Sequence, residues 1–499
     1  MTGLDDRSRS RIGLLLGLIL VLAALARFYG LDYHSLRNDE LSSWARSNHE
    51  TVAEVIEYGV KPDPHPPGFQ VMLWAIERNV GDSAVEMRAP SAMAGVLVVL
   101  MTFLLGRRLF GDREAVTAGL IACFSAAVIY YSQDARAYVF LTLTSVTSSW
   151  FLWPLIRSMD DGDRASPGAI AGFILTSAIA CYLHYFGVVL FATQVAYMGG
   201  VALLGRRWFH LWLSVLCFIG VALLYAPWWI GFYEDLTARE APDWIVPPGR
   251  QFPLRYLHSA LNQSTLLVGV CLALLVYIFV VEVGRMWAGR RTFSLFEETR
   301  RAEFFLAYWL LAPFVIAVVR SWTGEPVASI RNLIILLPAL YLIMARALAL
   351  LPQRAGFRNG ATAAVLLLLV YGLLFGMRYY TTPQKHQFRD LAEYVIAHED
   401  ERPGAPVYAF TYQKSYYDYY FERLGGQSRV AAVAGTTADI ARIEALLAAE
   451  RPSAFWYLTG TRVPDPEFLE FLSSRYRLAD ELLLYGTSAR YYERPATTP

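Results

Sequence analysis

Eleven apolar blocks, each close to the length a helix needs to cross a bilayer, dominate this chain and restrict its fold. Their cores run from Ile12 to Ala26, Ala89 to Leu105, Ala115 to Ser132, Ala137 to Ile156, Ala169 to Leu183, Tyr185 to Leu204, Trp208 to Ile230, Leu266 to Val281, Phe304 to Val319, Leu333 to Ala345 and Ala361 to Met377. A hydrocarbon core about 30 Å thick takes roughly 20 helical residues, so several blocks are slightly short and their ends are soft. With no water to satisfy the backbone in lipid, such blocks fold as helices. Hydrophobic residues make up 55% of the 499 positions and charged residues 17%, the balance of a polytopic α-helical membrane protein with about 11 transmembrane helices. No small-residue cleavage site follows the first block, which therefore reads as a retained anchor.

Basic residues orient the bundle. With the N-terminus in the cytoplasm, Arg107, Arg108, Arg113, Arg206, Arg207, Arg300, Arg301, Arg346, Arg354 and Arg358 fall on inner loops, and the outer turns hold few cations. Ten blocks separate the first long loop, 31–88, from the tail after Arg378, so the two polar regions emerge on the same outer side. A net charge of +1 without a basic stripe argues against a nucleic-acid partner. Cys123, Cys181, Cys217 and Cys271 all lie inside apolar blocks and read as packing residues, with no disulfide framework outside.

Residues 379–499 change character. Apolar runs shorten to strand length at Val407 to Phe410, Phe455 to Leu458 and Leu482 to Tyr485, and alternate with helical stretches at Gln387 to His398 and Ala438 to Ala449, which predicts a soluble α/β domain. There is no GxGxxG and no Walker loop. Tyr412, Tyr416, Tyr417, Tyr419 and Tyr420 form an aromatic cluster that suits core packing more than sugar stacking.

The outer ends of the blocks collect polar residues. Arg37-Asn38-Asp39-Glu40 follows the first block, and Pro62-Asp63-Pro64-His65-Pro66-Pro67-Gly68 makes a stiff turn. Arg88, Gln133-Asp134-Ala135-Arg136-Ala137-Tyr138, His184, and Arg320 with Arg331 mark further outer positions. Singly, each has a structural explanation in snorkelling, turn formation or local pairing. Jointly they outline a reaction site where membrane meets water.

In this order the runs Arg37-Asn38-Asp39-Glu40, His65-Pro66-Pro67-Gly68, Arg88-Ala89-Pro90, Tyr131 to Tyr138, His184-Tyr185 and Arg331-Asn332-Leu333 through Leu340 resemble bacterial members of the protein O-mannosyltransferase and aminoarabinose transferase group. These belong to the C superfamily of glycosyltransferases (GT-C, family 39-like). The resemblance implies a GT-C catalytic module over 1–378 and an active site facing the periplasm at the cytoplasmic (inner) membrane. It also implies a polyprenyl-phosphate sugar as donor and a hydroxyl acceptor on lipid, glycan or protein.

That chemistry needs few parts. A hydroxyl is a weak nucleophile, so a carboxylate must take its proton; Asp39 is the first candidate and Glu40 the second. The leaving group is already a phosphate anion, so cations suffice for it. Arg136 and Arg331 are the leading candidates, with Arg88 and Arg320 behind them, because a guanidinium fork matches phosphate oxygens. His65, Asp134, Tyr138 and His184 are expected to line the substrate site. Direct displacement inverts the anomeric carbon. Asp39, Glu40, Asp63, His65 and His184 match no compact ligand motif, so no metal or other cofactor is expected to be required. Asp161-Gly162-Asp163 resembles a metal-binding acidic triplet but falls on an inner loop and reads as a turn. Tyr225 to Trp229 and Trp244 to Pro248 fit either a groove for the lipid tail or an interfacial belt, and the loop from Phe232 to Gln263 fits either a closing lid or a rigid surface loop. A transporter or flippase of lipid-linked sugars is the alternative, although block centres nearly free of charge and without repeats disfavour it. A non-catalytic assembly subunit is a third reading.

Overall fold

The computed structural model describes residues 2–63, 65–161, 165–237, 245–287, 298–434, 437–460 and 466–495. The chain forms two compact units: Met1–Tyr29, Thr51–Met72 and Met87–Arg378 make one, and Gly30–Glu50, Leu73–Glu86 and Tyr379–Pro499 make the other. The centre of the Asp161-Gly162-Asp163 turn and positions 238–244 of the long loop lie outside the described residues.

The first unit is a helical membrane module. Among the described residues, nine helices are long and apolar enough to cross a bilayer, the outermost in sequence being Ser10–Phe28 and Phe357–Gly376. A tenth crossing is made when the bent pair Asp112–Phe124 and Ala126–Ser132 counts as one span. The expected block at Ala169 to Leu183 is a helix, Pro167–Leu183, but its 17 residues fall short of a full span. Ile230, Leu14 and Phe279 are 77%, 73% and 68% exposed, which is stable where lipid takes the place of water.

The bend at Ser125 has an identifiable cause. There the backbone becomes extended (φ −69°, ψ 116°) and the two helices meet at 59°. A break within a membrane helix frees backbone groups that lipid cannot satisfy. Asn262 accepts from the Ala126 N–H at 2.7 Å and donates to the carbonyls of Phe124 (2.9 Å) and Leu369 (2.8 Å). The buried Arg27 donates to the carbonyls of Ala122 (3.0 Å) and Cys123 (3.2 Å). The Ser125 hydroxyl caps the second helix at Val128 and pairs with the Tyr341 hydroxyl at 2.6 Å. The redirected helix delivers the turn that begins at Gln133, whose side-chain amide donates to the carbonyls of Arg27 and Tyr29.

The second unit is α/β, as the composition of the tail predicts. Strands β1 (Val407–Phe410), β2 (Val430–Ala434), β3 (Ala454–Gly460), β4 (Arg477–Leu484) and β5 (Thr487–Glu493) form one sheet in the order β2-β1-β3-β5-β4. β1 runs parallel to β2 and β3, and β5 runs antiparallel to β3 and β4. The central β3 is buried along almost its whole length, whereas the edge strand β4 keeps the exposed alternation of a half-solvated strand. Helices Thr437–Glu450 and Pro466–Arg475 bury Ile443, Leu447 and Leu472 with Phe455 and Tyr457 of β3.

Two stretches of the first loop belong to this unit. The Leu36 N–H donates to the Tyr420 hydroxyl at 2.6 Å, the Tyr419 hydroxyl donates to the Asp82 carbonyl at 2.8 Å, and Arg389 donates to the carbonyls of Asp32 (2.7 Å) and Tyr33 (3.0 Å). The aromatic cluster is therefore packing and docking: Tyr416, Tyr417, Tyr419 and Tyr420 are buried on the helix Ser415–Arg423, while Tyr412 is exposed.

Candidate active site

Within the membrane module, two helix breaks bring polar side chains together. The helix Gly68–Asn79 begins directly after the proline-rich turn, and a side chain at Gly68 would meet the Tyr182 carbonyl at 2.6 Å, so only glycine lets the turn approach the end of Pro167–Leu183. At that end His184 is extended (φ −165°, ψ 147°) and separates the helices Pro167–Leu183 and Tyr185–Leu204. The rings of His65 and His184 consequently lie 5.2 Å apart, edge to face.

The two histidines are held by different partners. Asp63, 2% exposed, accepts from Nδ1 of His65 at 2.9 Å, which places that proton on Nδ1. His184 instead accepts the Phe186 N–H on Nδ1 at 3.1 Å, which leaves its proton on Nε2. Burial, followed by the cationic surroundings of His65, Arg136 and Arg331, holds the His184 pKa well below the ordinary histidine value, and Asp63 only partly opposes this. His184 is a neutral imidazole at neutral pH.

Tyr138 ties the two arginines to this group. Its ring lies 5.9 Å from that of His184, and the guanidinium carbons of Arg136 and Arg331 lie 5.8 Å and 5.9 Å from its centre. Asp134 is fully buried, and its carbonyl accepts the Arg136 N–H at 2.8 Å across the tight turn. Arg331 closes the set from the chain entering the short helix Asn332–Leu336. Two guanidinium groups thus approach one aromatic ring beside a neutral imidazole. Arg88 is buried in the helix Ala84–Leu109. Arg320, by contrast, is exposed at the end of Glu298–Thr323 and donates to the Glu325 carbonyl at 3.2 Å. Among the described residues, no three of His, Cys, Asp and Glu gather as metal ligands.

The acidic pair lies in the second unit, in the first turn of the helix Asn38–Ser47, where negative charge complements the helix N-terminus. Its two carboxylates have different fates. Asp39 is 21% exposed and pairs with Arg37 Nη1 at 3.0 Å. Glu40 is fully buried; its Oε2 accepts from the Arg37 N–H at 3.0 Å and from Lys385 Nζ at 3.0 Å. Of the two, Asp39 is the more exposed. Lys385 carries no motif signal in sequence, since it stands alone in the polar run after Arg378.

Residues 64–230 match the family described as dolichyl-phosphate-mannose-protein mannosyltransferase. No curated protein sequence matches the chain. Among solved structures, ArnT from Cupriavidus metallidurans in the apo state aligns with a TM-score of 0.61 at 14% identity, covering 97% of this chain and 98% of that one. The same protein bound to undecaprenyl phosphate aligns with a TM-score of 0.59 at 13% identity, over the same shares of both chains. The chain thus shares the ArnT architecture over nearly its whole length, and its residues 64–230 are similar to the protein mannosyltransferase family.

Proposed function

We propose that the protein transfers a sugar from a polyprenyl-phosphate donor to a hydroxyl acceptor on a lipid, glycan or protein, with inversion, at the outer face of the cytoplasmic membrane. The observation that carries this reading is the convergence of Arg136 and Arg331 on Tyr138 and His184, an arrangement suited to one phosphate anion, with Arg136, Tyr138 and His184 inside the family-matched segment. The ArnT structure with undecaprenyl phosphate supports a lipid-linked donor.

In the reaction the acceptor oxygen attacks the anomeric carbon as the bond from that carbon to the phosphate oxygen breaks. The electron pair of the broken bond leaves with the polyprenyl phosphate, and the hydroxyl proton passes to Asp39. Arg136 and Arg331 stabilise the charge that develops on the leaving phosphate. His65, held by Asp63, and the neutral His184 contact the donor beside the two guanidinium groups.

The test uses the reconstituted protein with undecaprenyl phosphate mannose and a membrane lipid extract as acceptor. Release of undecaprenyl phosphate together with a glycoside of opposite anomeric configuration supports the reading, and a retained configuration contradicts the mechanism. In spheroplasts, an impermeant thiol reagent is expected to label Ser473→Cys, an exposed position of the tail. Labelling only after lysis contradicts the outer orientation.

A further inference from the structure

We propose that Lys385 is a positioning residue for catalysis: by holding Glu40 it sets the first turn of the helix Asn38–Ser47, and with it the Asp39 carboxylate. This rests on the assignment of Asp39 as the base.

The linkage can be followed atom by atom. Lys385 Nζ and Glu40 Oε2 lie 3.0 Å apart with both side chains fully buried. The same oxygen accepts the Arg37 N–H at 3.0 Å, and the Arg37 guanidinium pairs with Asp39 Oδ2 at 3.0 Å. One carboxylate oxygen therefore joins the tail to the backbone whose side chain orients Asp39. Glu40 also stands next to Asp39 in sequence, and an unneutralised carboxylate there would compete with Asp39 for the transferred proton, as adjacent like charges do. Lys385, 3.0 Å from Glu40 Oε2, offsets that charge.

Docking of the loop does not depend on Lys385 alone. The Arg389 N–H donates to Ser35 Oγ at 3.2 Å, Ser35 Oγ donates to Asp390 Oδ2 at 3.2 Å, and Leu36 is held by Tyr420. Loss of Lys385 therefore leaves segment 32–36 docked and disturbs the turn that carries Asp39. The expected signature is a fall in kcat without a change in donor affinity, which general destabilisation would not give.

The experiment uses the full chain in liposomes. With undecaprenyl phosphate mannose as donor and a membrane lipid extract as acceptor, Lys385→Met is expected to lower kcat about 10- to 100-fold, in line with a misplaced reactive group, while donor KM stays within about twofold. Lys385→Arg, which restores the charge, is expected to recover most of the loss. An activity-independent arm places Asp39→Cys in each background and measures its reaction with a soluble maleimide; the four native cysteines are buried. Lys385→Met is expected to speed labelling several-fold, and the double change Glu40→Gln with Lys385→Met, which removes both charges of the pair, is expected to bring it back. Unchanged labelling in Lys385→Met overturns the proposal whatever happens to turnover. If the reference protein turns over no donor while labelling responds as expected, the functional reading fails and the positioning role stands.

Discussion

Oδ1 of the buried Asp63 lies 2.9 Å from Nδ1 of His65, and this pairing fixes the ring orientation of an imidazole that faces His184. Asp63→Asn keeps the size and loses the charged acceptor. The expected result is a loss of about 10- to 100-fold in kcat/KM for the polyprenyl-phosphate donor, the range a mis-set contact group produces. His65→Ala in the same assay is expected to lose as much, with the double variant no worse than either single one, because the two side chains act as a unit. Additive losses would separate their roles.

Arg136 and Arg331 flank the Tyr138 ring at 5.8 Å and 5.9 Å. A hydrogen bond to a charged group contributes roughly 1.5–3 kcal/mol, so Arg136→Ala and Arg331→Ala are each expected to weaken donor use by about 10- to 150-fold. Lysine at either position is expected to recover only part of this, because a point charge cannot reproduce the planar fork. Steady-state kinetics against donor concentration checks both. Arg320, exposed and directed at the Glu325 carbonyl, is expected to tolerate alanine within about twofold, as surface positions do.

Asn262 satisfies three backbone groups at the broken helix, those of Phe124, Ala126 and Leu369. Leaving them unpaired in a lipid-facing module costs roughly 1–3 kcal/mol for each group that no water reaches. Asn262→Ala is therefore expected to destabilise the membrane module by about 3 kcal/mol or more, read as a lower midpoint of unfolding in mixed micelles. An unchanged midpoint would mean that the bend is held by Arg27 and Ser125 alone.

Glu77, in the second unit, accepts from Ser47 Oγ at 2.8 Å, and burial chiefly, with help from Asp82, raises its pKa from 4.5 to about 8. The folded state thus binds a proton that the unfolded chain releases at lower pH. This contribution to stability is complete below about pH 4.5 and is lost as pH rises to about 8, a difference of about 3–5 kcal/mol. Glu77→Gln is expected to flatten that slope. Hydrogen exchange of the second unit at pH 5.5 and 8.5 reads it, and an unchanged slope would place the titration elsewhere.

The helices were legible because apolar length alone specifies a membrane span, and the tail was legible where strands are strongly apolar, as at β1. Strand β2, Val-Ala-Ala-Val-Ala, and strand β5, with its mixed Thr487 to Glu493 pattern, gave no clear period, since small residues and an interior position between other strands hide the alternation. The break at Ser125 was hidden for another reason: Asn262, which stabilises it, lies 136 residues from the Ala126 N–H that it accepts. The same holds for Glu40, whose buried partner Lys385 lies 345 residues away. Local pattern reports local propensity, whereas these roles are set by partners that only folding brings near.

The central claim is that Asp39 takes the proton of the acceptor hydroxyl, and Asp39→Asn tests it most directly because it preserves shape and removes basicity. In proteoliposomes with undecaprenyl phosphate mannose and membrane lipid acceptor, the variant is expected to lose about 10²- to 10⁴-fold in kcat, with donor KM and thermal stability close to those of the parent protein. Turnover by Asp39→Asn at the parent rate would contradict the account.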